Sequence, residues 1–138
     1  MLTGKVPKIE FENKLAKKNT YPHEIEQAKR LSQHGIKCTF QVDYEVVDKK
    51  GTVIGKTDLN NGIELKSLSN AKNLRGRIDK GLKNARKKKG FKCCNFDAYG
   101  TNFSNREITS ALAKEMKLRG VREASFIDSE GAYHKLTT

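Results

Sequence analysis

The 138-residue sequence lacks the features that mark several classes of protein. It has three cysteines (Cys38, Cys93 and Cys94), two prolines and no tryptophan, and aromatic residues make up 7% of it. Three cysteines with no CxxC spacing and no neighbouring histidine pair argue against a disulfide framework and a zinc finger, and they fit a reducing compartment. No apolar run is long enough for a membrane span or a signal peptide. If the protein is exported, we expect its targeting signal to lie on a larger precursor.

Negative charge is also scarce. There are 28 Lys and Arg residues against 16 Asp and Glu, which gives a formal net charge of +12 and a pI near 9.7. A field of this sign favours a polyanionic partner, with nucleic acid ahead of an anionic membrane surface. The alternative is a charge that only keeps the protein soluble. The length and the 36% apolar content indicate one folded domain with its own core.

Residues 1–20 are basic and weakly patterned, so we expect an N-terminal arm or linker followed by a single domain over residues 21–138. Hydrophobic periodicity predicts the order α-β-β-β-α-β-α-β with a short closing strand, which is an α/β (α+β) fold. We expect a mixed sheet with an antiparallel β-hairpin core, flanked by helices. The predicted helices cover about 23–34, 71–88 and 105–118, and the predicted strands cover 36–47, 52–58, 63–68, 91–99, 121–127 and 132–136.

The segment Asp58-Leu-Asn-Asn-Gly-Ile-Glu64-Leu-Lys66 has the strongest chemical pattern in the chain. A three-residue loop, Asn60-Asn61-Gly62 with a left-handed glycine, would pair Leu59 with Ile63 and place Asp58 opposite Glu64. Alternation along the strand then puts Lys66 on the same face as Glu64. A two-residue turn at positions 61 and 62 would instead separate the carboxylates. With the first register, two carboxylates suited to Mg²⁺ and one ammonium group converge.

Two further features flank this segment. Glu24 lies in the first turn of the first helix, where a carboxylate complements the helix dipole, and that structural role is its simplest interpretation. The second helix buries a stripe formed by Leu74, Ile78, Leu82 and Ala85. Its remaining surface is basic. A run of charge is often only a solvated face, but here it follows the acidic segment directly, so we expect it to contact phosphates. The expected contact residues are Lys72, Arg75, Arg77, Lys80, Lys83, Arg86 and Lys87.

The D-x5-E-x-K pattern, with an early glutamate on the preceding helix and a basic helix after it, is similar to the PD-(D/E)xK nuclease superfamily. The resemblance implies a restriction-endonuclease-like fold in which Asp58, Glu64 and the Leu65 carbonyl hold a divalent metal. Lys66 would act on the scissile phosphate and the attacking water, and Glu24 would be a further catalytic residue that reaches the metal through water. Mg²⁺ is the expected ion, with Mn²⁺ or Zn²⁺ possible. The proline of the family name is absent, because Thr57 precedes Asp58.

Residues 23–40 and 58–88 also resemble the C-terminal nuclease toxins of bacterial contact-dependent growth inhibition systems. That resemblance implies a small basic domain cut from a very large surface protein and delivered into the cytoplasm of a target cell. It implies a nucleic acid substrate, with tRNA slightly favoured over DNA, and a cognate immunity protein that neutralises the toxin. No membrane span is expected.

Two other functions fit parts of the sequence. A non-catalytic nucleic-acid-binding module explains the charge and makes Glu64 and Lys66 an ordinary ion pair. It leaves an acidic pair within a positive surface unexplained, however, and the few aromatic residues argue against a base-stacking platform. A metal-independent ribonuclease would depend on His23, His34 or His134 as acid and base. His134 is better interpreted as an edge or surface residue.

Overall fold

The computed structural model describes residues 8–138, and within that range the chain forms four helices and eight strands. None of these helices is long and apolar enough to cross a membrane. The elements are β1 (Ile9–Phe11), α1 (Lys14–Asn19), α2 (Pro22–Gln33), β2 (Cys38–Phe40), β3 (Tyr44–Val46), β4 (Val53–Gly55), β5 (Ile63–Ser67), α3 (Leu74–Ala85), β6 (Cys93–Asp97), α4 (Asn105–Arg119), β7 (Glu123–Ile127) and β8 (Tyr133–Thr137).

The centre of the fold is a four-stranded sheet in the order β5-β6-β7-β8. Strands β5, β6 and β7 are parallel, and β8 runs antiparallel to β7. Parallel neighbours need a long crossover, and α3 and α4 supply the two crossovers. The expected mixed sheet flanked by helices is therefore present. Its outer strand, β5, carries the Glu64-Leu65-Lys66 segment.

Helices cover both faces of this sheet. Phe96 and Phe126 pack with the buried residues of α3 and α4, whereas Leu65 and Ile127 pack against Leu31 and its neighbours on α2. Adjacent residues such as Phe126 and Ile127 reach opposite cores because side chains alternate along a strand. The three layers fix α2 on one side of β5 and α3 on the other.

The predicted hairpin is not in the core of this sheet, and its long first strand is wrong. Residues 36–47 form two short strands, β2 and β3, and β3 pairs only with β4 in a separate antiparallel hairpin. The strand ends at Phe40. Beyond it, Gln41 bonds to the opposite segment, with its backbone amide donating to the Asp58 carbonyl and its side-chain amide to the Thr57 carbonyl. The apolar side chains beyond it are left on the surface, where Val46 is 57% and Val53 60% exposed.

The expected arm is corrected as well. Strand β1 pairs in parallel with β2, and the Phe11 ring stacks on Phe40 at 5.5 Å. Ala16 of α1 is buried. Residues 8–20 thus pack onto the domain, while positions 1–7 of the predicted arm lie outside the described residues. A three-residue strand and a six-residue helix are too short to show a periodic pattern.

Helix boundaries follow local capping groups. Asn73 caps α3 by accepting the Gly76 amide at 3.0 Å, so the helix begins at Leu74 and not at position 71. Ser104 and Glu107 form the predicted capping box of α4 in both directions, at 3.1 and 3.0 Å. Helix α2 begins one residue before the predicted His23, at Pro22.

Candidate active site

The loop before β5 has the three-residue form. The Leu59 amide donates to the Ile63 carbonyl at 3.1 Å, and the Gly62 amide donates to the Leu59 carbonyl at 3.2 Å. Gly62 has a φ of +89°, and a β-carbon there would lie 2.6 Å from the Gly90 carbonyl oxygen. Glycine is required by both the backbone angle and the space. The three-residue loop, whose register brings Asp58 to Glu64, is therefore the one formed, and the two-residue turn is not.

Hydrogen bonds between backbone amides and side-chain carboxylates join the segment around Asp58 to the segment around Glu64. The Asp58 amide donates to Glu64 Oε1 at 3.0 Å, and Asp58 Oδ2 accepts the Leu65 amide at 2.8 Å. Leu65 lies on the open edge of β5, so Asp58 occupies a place that a neighbouring strand would take. The two carboxylates therefore meet at the sheet edge, within one short stretch of chain.

Two lysines face this pair. Lys66 Nζ lies 3.7 Å and Lys88 Nζ 3.5 Å from Glu64 Oε2. The Glu64 side chain is almost completely buried, whereas both lysine side chains keep more than a quarter of their surface exposed. Lys88 is not among the residues that the sequence predicts for the site, because nothing in the basic run around it distinguishes it from Lys87 or Lys89. Gly55 makes room for it, since a β-carbon there would lie 3.1 Å from Lys88 Cδ.

The pKa values of the two acids are raised in spite of the lysines. Burial raises the pKa of Glu64 to about 7, and the neighbouring charge of Asp58 adds to the effect. Burial also raises the pKa of Asp58 to about 6, with a further contribution from the charge of Glu24. The charges of Lys88 and Lys66 offset only part of the effect of burial on Glu64, so this site has a deficit of positive charge.

Glu24 reaches the same site from α2. It lines a cavity of about 10 Å³ together with Asp58, a space on the order of one water molecule. Its carboxylate also accepts the Tyr21 amide at 2.9 Å as part of a capping box at the start of α2. The structural interpretation of Glu24 is therefore correct, and its position beside Asp58 is compatible with the functional one as well.

Gln27 is a second residue that sequence reasoning misses. It is buried on α2, one turn after Glu24, and its Nε2 donates to the Lys66 carbonyl at 3.2 Å and to the Asn95 carbonyl at 3.0 Å. These bonds tie α2 to β5 and β6 beside the candidate site. The only sequence signal is a polar residue directly next to Ala28 on the buried stripe of α2.

Helix α3 approaches β5 closely at Gly81. A β-carbon at Gly81 would lie 2.8 Å from the Phe96 ring and 3.5 Å from Lys66 Cγ. The buried glycine thus lets the stem of Lys66 pass between the helix and the sheet. Sequence reasoning misses this role, because a glycine within a helical pattern shows only a loss of helix propensity.

The seven basic residues predicted to contact phosphates are all exposed, but they point in different directions. Arg75 pairs with Glu115 of α4 at 3.0 Å, and Arg86 donates to the Arg119 carbonyl at 2.8 Å. Arg77 turns the other way and donates to the Ser67 carbonyl at the end of β5, at 3.1 Å. Arg77 is therefore on the side of Lys66, whereas Arg75 and Arg86 also brace α3 against α4.

The histidines make contacts that explain them structurally. His134 bonds to the buried Asp128 at 2.8 Å, His34 bonds to the Gly131 carbonyl at 2.8 Å, and His23 stacks on Tyr21. None of these partners belongs to the acidic pair or its lysines. The three cysteines are buried and unpaired, and burial raises the pKa of Cys38 to about 12.

In residues 8–138, no three His, Cys, Asp or Glu side chains form a group that could hold a metal ion. Asp58 and Glu64 form a pair of carboxylates, and carboxylate oxygens are the type of ligand that hard divalent cations prefer. Their raised pKa values fit a cation, because a positive ion would supply the charge that the pair lacks. Any further ligands would come from backbone carbonyls or water.

These elements define an α+β domain with an acidic pair and two lysines at the open edge of a mixed sheet. Neither a protein-family model nor a curated protein matches the sequence. The fold is similar to that of a chain in the solved CdiA-CT/CdiI toxin and immunity complex from Burkholderia pseudomallei, with a TM-score of 0.56. The match covers 99% of this chain and 98% of that chain, at 15% sequence identity. At this identity the likeness concerns the fold.

Proposed function

We propose that this chain is a metal-dependent nuclease toxin domain of the contact-dependent growth inhibition type, with a PD-(D/E)xK site. The observation that carries the proposal is the Asp58–Glu64 pair, with Lys66 and Lys88 within 4 Å of Glu64 Oε2. An acidic pair at a strand edge, followed by a lysine on the same strand, supports the restriction-endonuclease-like site that the sequence resemblance implies. The fold similarity to a toxin–immunity complex supports the same class.

The residues that would hold the metal are Asp58, Glu64 and the Leu65 carbonyl, with Glu24 reaching it through water. Mg²⁺ fits the all-oxygen set best, and Mn²⁺ or Zn²⁺ are the alternatives. A bound divalent ion would supply Lewis-acid stabilisation of the phosphate and lower the pKa of a coordinated water. The burial of Glu64 would keep bulk water away from one side of that charge.

The two lysines have distinct positions from which to act. Lys66 directly follows Leu65 on β5, and its Cγ lies close to Gly81 of α3. It would contact the scissile phosphate and orient the attacking water, donating hydrogen bonds through its ammonium group. Lys88 approaches Glu64 from the end of α3, where it would stabilise the ionised carboxylate and add positive charge beside the phosphate.

The substrate we propose is nucleic acid, with tRNA slightly favoured over DNA because of the sequence resemblance to the toxin family. The net charge of +12 and the exposed basic residues of α3 support phosphate binding. As a toxin, the domain would be carried on a large surface protein and delivered into the cytoplasm of a target cell.

The proposed partner is a small acidic immunity protein encoded directly downstream. Charge complementarity to the basic surface would speed its association. Its footprint would include basic residues between 72 and 92, or the exposed hairpin of β3 and β4, where Val46 and Val53 offer apolar contacts. An edge of that two-stranded hairpin could also accept a strand from the partner.

Cleavage of total tRNA, other RNA and plasmid DNA by the purified domain tests the enzymatic proposal. We expect cleavage with Mg²⁺ and none with EDTA, and loss of cleavage in Asp58→Asn and Glu64→Gln. Glu123→Gln is the matched control, because this carboxylate pairs with Lys135 near the opposite edge of the sheet. Equal cleavage by all four proteins would place the chemistry elsewhere.

Expression in a bacterium tests the toxin and the partner together. The wild-type domain should arrest growth, Glu64→Gln should not, and the downstream gene product should restore growth. Harmless expression of folded wild-type protein would reject the toxin role. Metal-independent binding of nucleic acid without cleavage would favour the binding-module alternative instead.

A further inference from the structure

Tyr99 forms an exposed aromatic platform just beyond the end of β6. Its side chain is about half exposed, in contrast to the buried phenylalanines of the core. The guanidinium carbon of Arg30 lies 4.5 Å from the centre of its ring. Gly131 lies near the ring edge, since a β-carbon placed on it would be 3.6 Å from Tyr99 Cε1. One side of the ring is therefore backed by protein.

The ring is held in place by a short network. Arg30 Nη2 donates to Asp97 Oδ2 at 2.5 Å, and Asp97 Oδ1 accepts the Tyr99 amide at 3.1 Å. Asp97 is buried, and Arg30 Nε is buried without a hydrogen-bond partner. This unpaired donor is a cost that the fold bears at the position where Arg30 lies over Tyr99. Cation–π contact with Arg30 makes Tyr99 a preorganised surface.

A cavity of about 360 Å³ adjoins Tyr99. Its wall combines Tyr99 and Phe103 with the polar side chains of Ser69, Asn70, Thr101 and Asn102. Asn70 has a φ of +61°, which is uncommon for a residue other than glycine. An aromatic face beside amide and hydroxyl groups suits a flat ring that carries hydrogen-bonding edges, and a nucleobase has this chemistry.

The cavity and the candidate active site are connected through α2 and through strands β5 and β6. Along α2, Glu24 lies near Asp58, Gln27 bonds to the Lys66 carbonyl, and Arg30 pairs with Asp97. The helical rise from residue 24 to residue 30 is about 9 Å. Ser67 and Asp97 are register partners in β5 and β6, so Ser69 and Tyr99 follow side by side at the carboxyl end of the sheet. Ligands bind at this end in open α/β sheets.

We propose that Tyr99 and its adjoining cavity bind one unpaired nucleobase of the nucleic acid strand whose phosphate enters the Asp58–Glu64 site. This inference rests on the proposed function and names a substrate feature, an unstacked base on the strand that is cleaved. A base held in a duplex cannot stack on Tyr99 without leaving its pair, so a loop or single strand is preferred over a helix. The scarcity of aromatic residues argues against an extended stacking platform, and a single braced tyrosine provides a local one.

The absence of tryptophan from the sequence allows a direct test of binding. Tyr99→Trp would carry the only indole in the chain, and the titration is run in EDTA so that no metal-dependent cleavage occurs. The probes are a mixed-sequence single-stranded ten-nucleotide RNA, its DNA counterpart, a duplex of the same sequence and an abasic strand of equal charge. We expect quenching and saturation with the single strands, and neither with the duplex or the abasic strand. Equal quenching by the abasic strand would overturn the proposal, because phosphates alone would then account for it.

The variants Tyr99→Leu and Tyr99→Phe test whether the aromatic ring of Tyr99 is needed for binding. Stacking on an aromatic residue predicts a Kd raised roughly tenfold or more for single-stranded RNA in Tyr99→Leu and little change in Tyr99→Phe. In cleavage with Mg²⁺, KM should rise in Tyr99→Leu with kcat nearly unchanged. Unchanged Kd and KM in a folded Tyr99→Leu protein that still cleaves would reject the base site and leave the nuclease intact. Base-dependent quenching without any cleavage would reject the nuclease and leave the base site.

Discussion

The backbone amide of Asp58 donates to Glu64 Oε1 at 3.0 Å, which holds the two acidic residues together at the edge of the sheet. Burial is the main cause of the raised pKa values of both acids; the charge of Asp58 adds to it at Glu64, and the charge of Glu24 adds to it at Asp58. The burial of Glu64 in the candidate site therefore lowers the stability of the fold at neutral pH, where the carboxylate must be ionised.

The first prediction concerns pH. The pKa of Glu64 in the folded state, about 7, lies above its ordinary value of 4.5, so the folded state binds the proton more tightly than the unfolded state. This contribution to stability is complete below about pH 4.5 and is lost as pH rises through 7. Glu64→Gln removes the dependence, and at pH 8 we expect it to be the more stable protein by on the order of 1–3 kcal/mol.

Urea unfolding in EDTA at intervals from pH 4 to pH 8 measures the difference. Other carboxylates, including Asp128 with its lowered pKa, lose stability in acid, so the wild type and the variant must be compared at each pH. Glu123→Gln should follow the wild type. A variant–wild-type difference that does not change with pH would contradict the pKa assignment.

The second prediction separates metal binding from catalysis. Mg²⁺ should raise the melting temperature of the wild type, because a ligand that binds only the folded state stabilises it in proportion to RT ln(1 + [L]/Kd). Asp58→Asn and Glu64→Gln should lose this shift. Lys66→Ala should keep it while losing cleavage, since the ammonium group acts on phosphate and not on the ion. Loss of the shift in Lys66→Ala would make that lysine part of the ion's environment.

The third prediction concerns Lys88, which lies 3.5 Å from Glu64 Oε2. Lys88→Ala should reduce kcat by roughly 10–100-fold, the range found for groups that orient metal ligands. It should also raise the pKa of Glu64, seen as a shift of the rate profile to higher pH. Lys89→Ala is the control, because Lys89 is exposed and pairs with Glu45 on β3. Equal effects at positions 88 and 89 would mean that only overall charge matters.

The fourth prediction concerns the basic surface of α3. Reversal of Lys80, Lys83 and Lys87 to glutamate should weaken binding to all nucleic acids and flatten the slope of log affinity against log salt. Removing one phosphate interaction should reduce the slope by about 0.7–0.9. Three reversals outside α3, at Lys37, Lys117 and Arg122, are the matched control with the same change in net charge. Equal slopes for both triple variants would show that the α3 surface has no special role.

The fifth prediction concerns Glu24, which both caps α2 and faces Asp58. Glu24→Gln can keep the hydrogen bond from the Tyr21 amide and removes the charge, so the melting temperature should change little. If Glu24 belongs to the metal's surroundings, cleavage should fall by about tenfold or more. Glu24→Ala should lose stability in addition. Wild-type rates in Glu24→Gln would leave only the capping role.

The local part of the site could be predicted from sequence. Asp58, the loop glycine Gly62, Glu64 and Lys66 lie within nine residues, so turn chemistry and strand alternation were enough to bring them together. The caps of α4 and the buried stripe of α3 follow from equally local patterns.

The remaining parts depend on contacts between distant segments. Lys88 reaches Glu64 only because α3 packs on β5, and Gln27 reaches the Lys66 carbonyl only because α2 covers the opposite face. Strand β1 pairs with β2 across 29 residues and is too short to show alternation. Apolar and polar residues alternate in the hairpin of β3 and β4 as they do in a core strand. The sequence pattern alone therefore could not show that no other layer of residues 8–138 covers this hairpin.

The close approach at Gly81 has a mechanical consequence. With no side chain at position 81, the α3 backbone comes close to the Phe96 ring and the Lys66 stem, and closely packed interiors deform little. We therefore expect the helix that carries the basic surface and the strand that carries Lys66 to move together. If the proposed function holds, a polyanion bound to the exposed side of α3 would lie at a nearly constant distance from the Lys66 ammonium group. Binding energy gained along the helix would then contribute to alignment of the substrate at the strand edge.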